Sequence, residues 1–211
     1  MVVFYDNIPD FLATWIPQQK LFWVASAPLT ADGYVNVSPK GVEGTFHLVN
    51  ANKVWYEDIS GSGVETIAHL RENGRITIMF SAFEGPPRIA RLFGTGTVYE
   101  YGTPEYEALL PPGKRQVGSR SVIMMDVRKV STSCGYAVPF YTYNSQRTRL
   151  LEFFRRKEAA DIEAEAGLEP AECTAPPRPE NGLKQYWVAK NSTSINGLPG
   201  VKSAPQSVKP F

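Results

Sequence analysis

The chain has 211 residues, 43 % hydrophobic and 12 % aromatic, enough for one large domain or a compact domain with an appended tail, and this excludes disorder of the whole chain. Lys plus Arg number 22 against 21 Asp plus Glu, and a net charge of +1 supplies no long-range field for gathering nucleic acid or an anionic membrane. No window reaches the roughly 18 apolar residues of a membrane span, and Cys134 and Cys173 form neither a CxxC pair nor a disulfide framework, so a soluble, cytoplasmic protein binding small molecules or protein partners is expected.

In chain order, a short helix is predicted over about Asp10 to Gln19. Leu21 to Ala25 is a dense apolar-aromatic run, "TADG" has turn chemistry and Tyr34 to Ser38 alternates, which predicts a β-hairpin. A strand follows at Lys53 to Tyr56, then the loop "YEDISGSGVET". After it, Val64, Ile67, Ala68 and Arg71 mark one face of a short helix ending at "ENG". "RITIMFSAF" is strand-like, with Ile76, Ile78 and Phe80 on one face. "PRIARLFGTGTVYEYG" is a further strand whose glycines suggest a bulge or tight curvature. "SVIMMDVRKVSTS" is the last main strand.

From Thr148 the sequence reads as a helix to about Ala166. "LEPAECTAPPRPENG" reads as a Pro-rich extended connector, and "LKQYWVAKNSTSINGLPG" as a segment of aromatic and turn residues. The expected organisation is a barrel domain over 1–147, a helix over 148–166 and a connector with C-terminal tail over 167–211, the tail packing on the barrel or a partner. The fold class expected is mainly β, a small closed or split barrel of about six strands with flanking helices.

Several chemistries are missing from the pattern. His47 and His69 sit in no metal-ligand spacing, so no metal site is expected, and a structural or solvated role suits His69. There is no GxSxG elbow, no Walker loop, and no GxGxxG opening a helix. Cys134 reads as a small buried side chain ahead of a glycine turn, with a reactive thiol as the alternative. The loop remains. Ser62 with Glu65 three residues on forms a capping-box pattern, while Gly61 and Gly63 would let a ligand approach the backbone, as in a phosphate cradle.

The order "DGYVNVSPKG", "VWYEDISGSGVETIAHLRENGRITIMF", "RIARLFGTGTV", with "TSCGYAVP" and the later "QYW..KN..SINGLPG", resembles the FMN-binding split-barrel family related to pyridoxamine 5′-phosphate oxidase. The resemblance implies FMN as cofactor, a homodimer with the flavin site at the interface, and an FMN-dependent oxidoreductase acting on a small molecule. Carried over by position, it implies cofactor-binding roles for Ser38 and Lys40. Tyr56 and Glu57 would line the ribityl-phosphate channel, with Ser62 and Gly63 at the phosphate loop. Arg91 would lie near the flavin ring and Trp187 would close over it. Aromatic packing is the alternative for Tyr56 and Trp187. The chain departs from the family where an Arg-Lys pair follows the loop serine: here Gly63 and Val64 stand instead, removing two charge-assisted hydrogen bonds of about 1.5–3 kcal/mol each. Lys40, Arg88, Arg91, Lys114, Arg115 and Arg120 are the candidate substitutes. The family's C-terminal Arg-Leu-His substrate motif is missing too, so pyridoxamine-phosphate oxidation itself is not expected. A flavin-binding or interaction module without turnover is the rival reading, and a deazaflavin or haem the alternative ligand.

Overall fold

The computed structural model describes residues 1–166 and 178–211. Among them are eight strands: β1 (Val3–Tyr5), β2 (Phe22–Ser26), β3 (Asn36–Lys40), β4 (Phe46–Asn50), β5 (Lys53–Ile59), β6 (Arg75–Ser81), β7 (Ile89–Glu100) and β8 (Ser119–Ser133). Five α-helices accompany them: α1 (Asp10–Trp15), α2 (Glu65–Asn73), α3 (Pro104–Leu109), α4 (Arg149–Glu165) and α5 (Leu183–Asn191). The strands form one sheet in the order β3-β2-β6-β7-β8-β5-β4, with β1 paired to β8. The count is eight rather than six because β1 and β4 add to the expected set. β4, "FHLVN", is half exposed and follows a glycine-containing turn, so it has no clean alternation to read.

The contacts divide the chain into two compact units. The first comprises Met1–Tyr56, His69–Thr97 and Met124–Gln146; the second comprises Glu57–Ala68, Val98–Ile123 and Arg147–Phe211.

In the first unit, β2 and β6 alternate so that Phe22, Val24, Ile76, Ile78 and Phe80 are all buried. The Phe22 ring meets those of Phe46, Tyr56 and Phe80 at 5.2, 5.5 and 5.8 Å, and burying each such side chain contributes about 1.5–3 kcal/mol. The β6–β7 register runs unbroken from Arg75↔Thr95 to Ser81↔Ile89, so the glycines of β7 do not mark a bulge against β6. Gly94 instead answers a close approach, since a Cβ there would lie 2.0 Å from the Asp126 carbonyl oxygen. His69 is fully buried with Nδ1 3.0 Å from the Ser26 hydroxyl, and His47 stacks on Trp55 at 3.7 Å, so both histidines are structural. Cys134 is exposed, contrary to the expectation of burial. The chain has left the sheet at that point, and the buried position falls to the adjacent Gly135, which turns at φ +66°.

In the second unit, α5 replaces the turn-rich segment expected near the C-terminus. Leu183, Trp187 and Asn191, four residues apart, share its buried face. The helix starts at Gly182, where a Cβ would lie 2.0 Å from Asp161 Oδ1. Glu100, also buried, accepts hydrogen bonds from the Lys202, Ser203 and Ala204 amides and so fixes the chain after α5. Most of the Pro-rich connector, 167–177, lies outside the described residues.

Candidate functional site

The residues singled out in the sequence fall separately into the two units. Ser38, Lys40, Tyr56 and Arg91 belong to the first; Glu57, Ser62, Gly63 and Trp187 belong to the second.

Strand register decides which of the first group share a face. Lys40 pairs with Phe22, Phe22 with Phe80 and Phe80 with Ala90, while Ser38 pairs with Val24. Side chains directly opposite one another lie on one side of a sheet, so Lys40 and Ser38 share the side of Phe22 and Phe80. Arg91 pairs with Met79, and Met79 with Trp23, which is the other side. The Lys40 ammonium lies 5.8 Å from the Tyr56 ring centroid, within cation–π range, and Ser38 donates to Asn36 Oδ1 at 3.1 Å. Lys40, Phe22, Phe46, Phe80 and Gln19 line a cavity of about 150 Å³. Lys40 and Arg91 therefore do not converge within one chain.

The second group gathers around the loop Ser60–Val64. Ser60 donates through both its amide and its hydroxyl to the Gly118 carbonyl, at 2.8 and 2.6 Å. The Trp187 indole N–H donates to Ser60 Oγ at 2.7 Å, with the ring at 0 % exposure. Trp187 is thus a buried anchor of the loop, and within this chain its ring offers no open face to a ligand. Asn191, one helical turn on, donates from Nδ2 to the Gly61 carbonyl at 2.9 Å. Arg120 donates from Nη1 to the Gly63 carbonyl at 2.8 Å and from Nε to Asp58 at 2.8 Å.

In a planar trans peptide the C=O of one residue and the N–H of the next point in opposite directions. With Gly61 C=O turned to Asn191 and Gly63 C=O turned to Arg120, the Ser62 and Val64 amides face away from these buried donors. Neither amide has a hydrogen-bond partner among the described residues. A side chain at Gly61 would meet nothing within 4 Å. The capping box does not form in the expected register. The Ala68 amide bonds to Val64, which makes Val64 the cap position of α2 and leaves Ser62 exposed, two residues upstream. Glu65 folds back all the same: its Oε2 lies 2.3 Å from where a Gly63 Cβ would be, and its Oε1 accepts from the Ile195 amide at 3.3 Å.

The cations proposed to balance a phosphate are largely engaged in this unit. Arg115 makes a bidentate pair with Glu158 at 2.7 and 2.9 Å, and Arg120 is taken by Asp58. Lys114 is exposed. Glu57, also buried, accepts from the Gln116 amide at 2.6 Å, and burial pushes its carboxyl above the usual range, opposed by hydrogen bonds from Ser119 and Gln116 and by Arg115. It holds the loop before β8 in place. Among the described residues no group of three or more His, Cys, Asp or Glu could hold a metal ion, and no helix is long and apolar enough to cross a membrane.

The sequence model of the family described as pyridoxamine 5′-phosphate oxidase matches residues 8–134. The chain belongs to the pyridoxamine 5′-phosphate oxidase family. It is 40 % identical over 209 residues to the pyridoxamine 5′-phosphate oxidase family protein ustO of Aspergillus flavus, covering 97 % of this chain and 80 % of that one. Among solved structures it is similar to a HupZ variant of Group A Streptococcus, with a TM-score of 0.49, 24 % identity, and 60 % and 99 % of the two chains covered. It is also similar to a Clostridium acetobutylicum protein related to general stress protein 26, with a TM-score of 0.40, 14 % identity, and 58 % and 84 % covered. The sheet with flanking helices fits this family's split-barrel architecture. Against the residues expected from the sequence, Ser60 and Asn191 are the additions the structure makes, while Arg120, a candidate counter-cation there, instead binds Asp58 and the Gly63 carbonyl. One sequence signal pointed to Asn191: it follows Trp187 by four residues, on the same face of any helix.

Proposed function

We propose that this chain is an FMN-dependent oxidoreductase of the split-barrel type, acting on a small molecule other than pyridoxamine phosphate. The observation that carries this reading is the Ser60–Val64 loop, which leaves the amide of exposed Ser62 unpartnered among the described residues beside open space at Gly61. This donor suits a phosphate group's acceptors ahead of α2. The loop supplies no neighbouring cation of its own, so phosphate would be held by a backbone amide and exchange more readily than where an Arg-Lys pair is present.

When bound, the flavin supplies the redox chemistry, and the protein's part is to orient it and admit substrate. In that division of labour the Ser62 amide meets the phosphate. Lys40 and Ser38 serve on one side of the sheet and Arg91 on the other. This arrangement favours a homodimer in which each flavin meets residues of two chains.

The absorbance spectrum of protein purified from cells tests the reading. A flavin spectrum, or a rise in thermal stability on adding FMN to apoprotein, is expected; a colourless protein that FMN does not stabilise would overturn it. Bleaching by NADH or NADPH under anaerobic conditions is expected of an oxidoreductase. The engagement of Arg115 and Arg120 by carboxylates favours a second reading, a flavin-binding module without turnover, which would stay oxidised in the same experiment.

A further inference from the structure

We propose that an aromatic cleft in the first unit is a binding site for an uncharged, planar aromatic molecule carrying a hydroxyl or amino group. The site does not depend on the flavin reading, because one unit of one chain supplies its whole lining. Its volume is about 790 Å³, and small-molecule sites span roughly 300–1,000 Å³. Trp15, Trp23, Phe83, Tyr141 and Tyr143 all line it, and the fold sets these rings in place. Trp23 lies on β2 between Pro39 and Met79, on the side of the sheet away from Phe22. Its ring is 5.9 Å from that of Phe83, which in turn meets Tyr141 edge-on at 5.4 Å. The segment carrying Tyr141 and Tyr143 is clamped to the turn between β6 and β7: the Tyr141 amide donates to the Phe83 carbonyl at 3.2 Å, and the Tyr143 amide to Glu84 Oε1 at 3.3 Å. Trp15 packs against Phe80 at 6.5 Å and under the Arg88 guanidinium at 5.3 Å. Rings fixed before a ligand arrives take it at little ordering cost, and they favour a flat π-system over a saturated one of equal size.

Charge and hydrogen bonding narrow the class. The ionised side chains of the lining are Lys20 and Glu84, of opposite sign. Lys20 reaches Glu43 at 3.6 Å and the Tyr143 ring at 5.4 Å, while Glu84 accepts from Tyr143, so neither is held ready as counter-ion to a charged ligand. Gln18 and Gln19 donate through Nε2 to the Thr14 and Trp15 carbonyls, which leaves each Oε1 to accept from a ligand O–H or N–H.

The test titrates 2-naphthol, decahydro-2-naphthol and 2-naphthoate into the protein as purified, read by calorimetry. Decahydro-2-naphthol keeps the skeleton and hydroxyl without the π-system, and 2-naphthoate keeps the rings with a negative charge. The wild type is expected to bind 2-naphthol about tenfold tighter than either. Tyr141→Leu is expected to weaken 2-naphthol about three- to tenfold, the scale of one aromatic pair, and to leave decahydro-2-naphthol unchanged. Tyr141 is 63 % exposed, so this variant does not threaten folding. No saturable 2-naphthol binding, equal affinity for the saturated or the charged analogue, or a Tyr141→Leu variant that binds like the wild type would overturn the site. Displacement of 2-naphthol by FMN would overturn it too, since the cleft would then be the flavin's own seat. So would 2-naphthol that splits dimers into single chains in light scattering, which would make the cleft a subunit interface.

Discussion

At the residue scale, Glu65 opposes the function proposed for its own loop. Its carboxylate lies against Gly63, within the loop offered to phosphate, and accepts from the Ile195 amide. A negative group in the first turn of α2 stabilises the helix by roughly 0.3–1 kcal/mol, but it repels the dianion that the same loop would bind. Glu65→Gln is therefore expected to raise FMN affinity severalfold at low salt while lowering stability slightly, both read from one titration and one denaturant melt; equal affinity would place the phosphate away from α2. Legibility of the site was uneven for a related reason. Ser62 and Gly63 were visible as a turn before a helix, but the residues that pin the loop come from β8 and α5, more than 50 positions downstream. Nothing in the local pattern of "SGSG" announces Asn191 or Arg120. Arg91 shows the same limit: which side of β7 it takes depends on pairing with Met79, and period-2 alternation leaves that open by one residue.

At the element scale, β2, β6, β7 and β8 could be read because buried strands carry apolar alternation, whereas α5 could not be told from a tail. Of its four buried side chains, Leu183, Lys184, Trp187 and Asn191, two are polar, so no apolar periodicity defines a face. What starts α5 is a carboxylate from another helix. Asp161 on α4 accepts from the Leu183 and Lys184 amides at 2.7 and 2.9 Å, replacing the side-chain cap that Gly182 cannot supply. Asp161→Ala is expected to destabilise the protein by about 1–3 kcal/mol, the range for buried donors left unsatisfied, measured by chemical denaturation at neutral pH; a change within error would show that water replaces the carboxylate. Burial raises the Asp161 carboxyl above its ordinary value, against the lowering effect of those two amides and Lys184. In the interval between the ordinary and the raised value the folded chain holds the proton longer than the unfolded chain, so this group's contribution to stability falls as pH rises through it. Asp161→Asn is expected to lack that fall.

At the scale of the whole molecule, the segment after β8 exposes more aromatic surface than a solitary chain has use for. Tyr136 and Phe140 are 81 % and 80 % exposed, and Tyr141 and Tyr143 are exposed beside them. Tyr141 and Tyr143 also line, with Trp15, Trp23 and Phe83, a cleft of about 790 Å³ in the first unit. Exposed apolar side chains of this kind suit an interaction surface, and the homodimer proposed above would supply a second copy of the chain to cover them. Light scattering coupled to size exclusion is expected to return twice the 23.4 kDa chain mass. A Tyr136→Ser/Phe140→Ser double variant is expected to shift the population toward single chains, because each exposed ring forfeits roughly 1.5–3 kcal/mol of burial at the interface. If the flavin site is shared between chains, flavin content should fall in step with the dimer fraction across a dilution series. A wild type that runs as a single chain at micromolar concentration yet retains full flavin would show that one chain completes the site, and Arg91 would then leave the set of cofactor contacts.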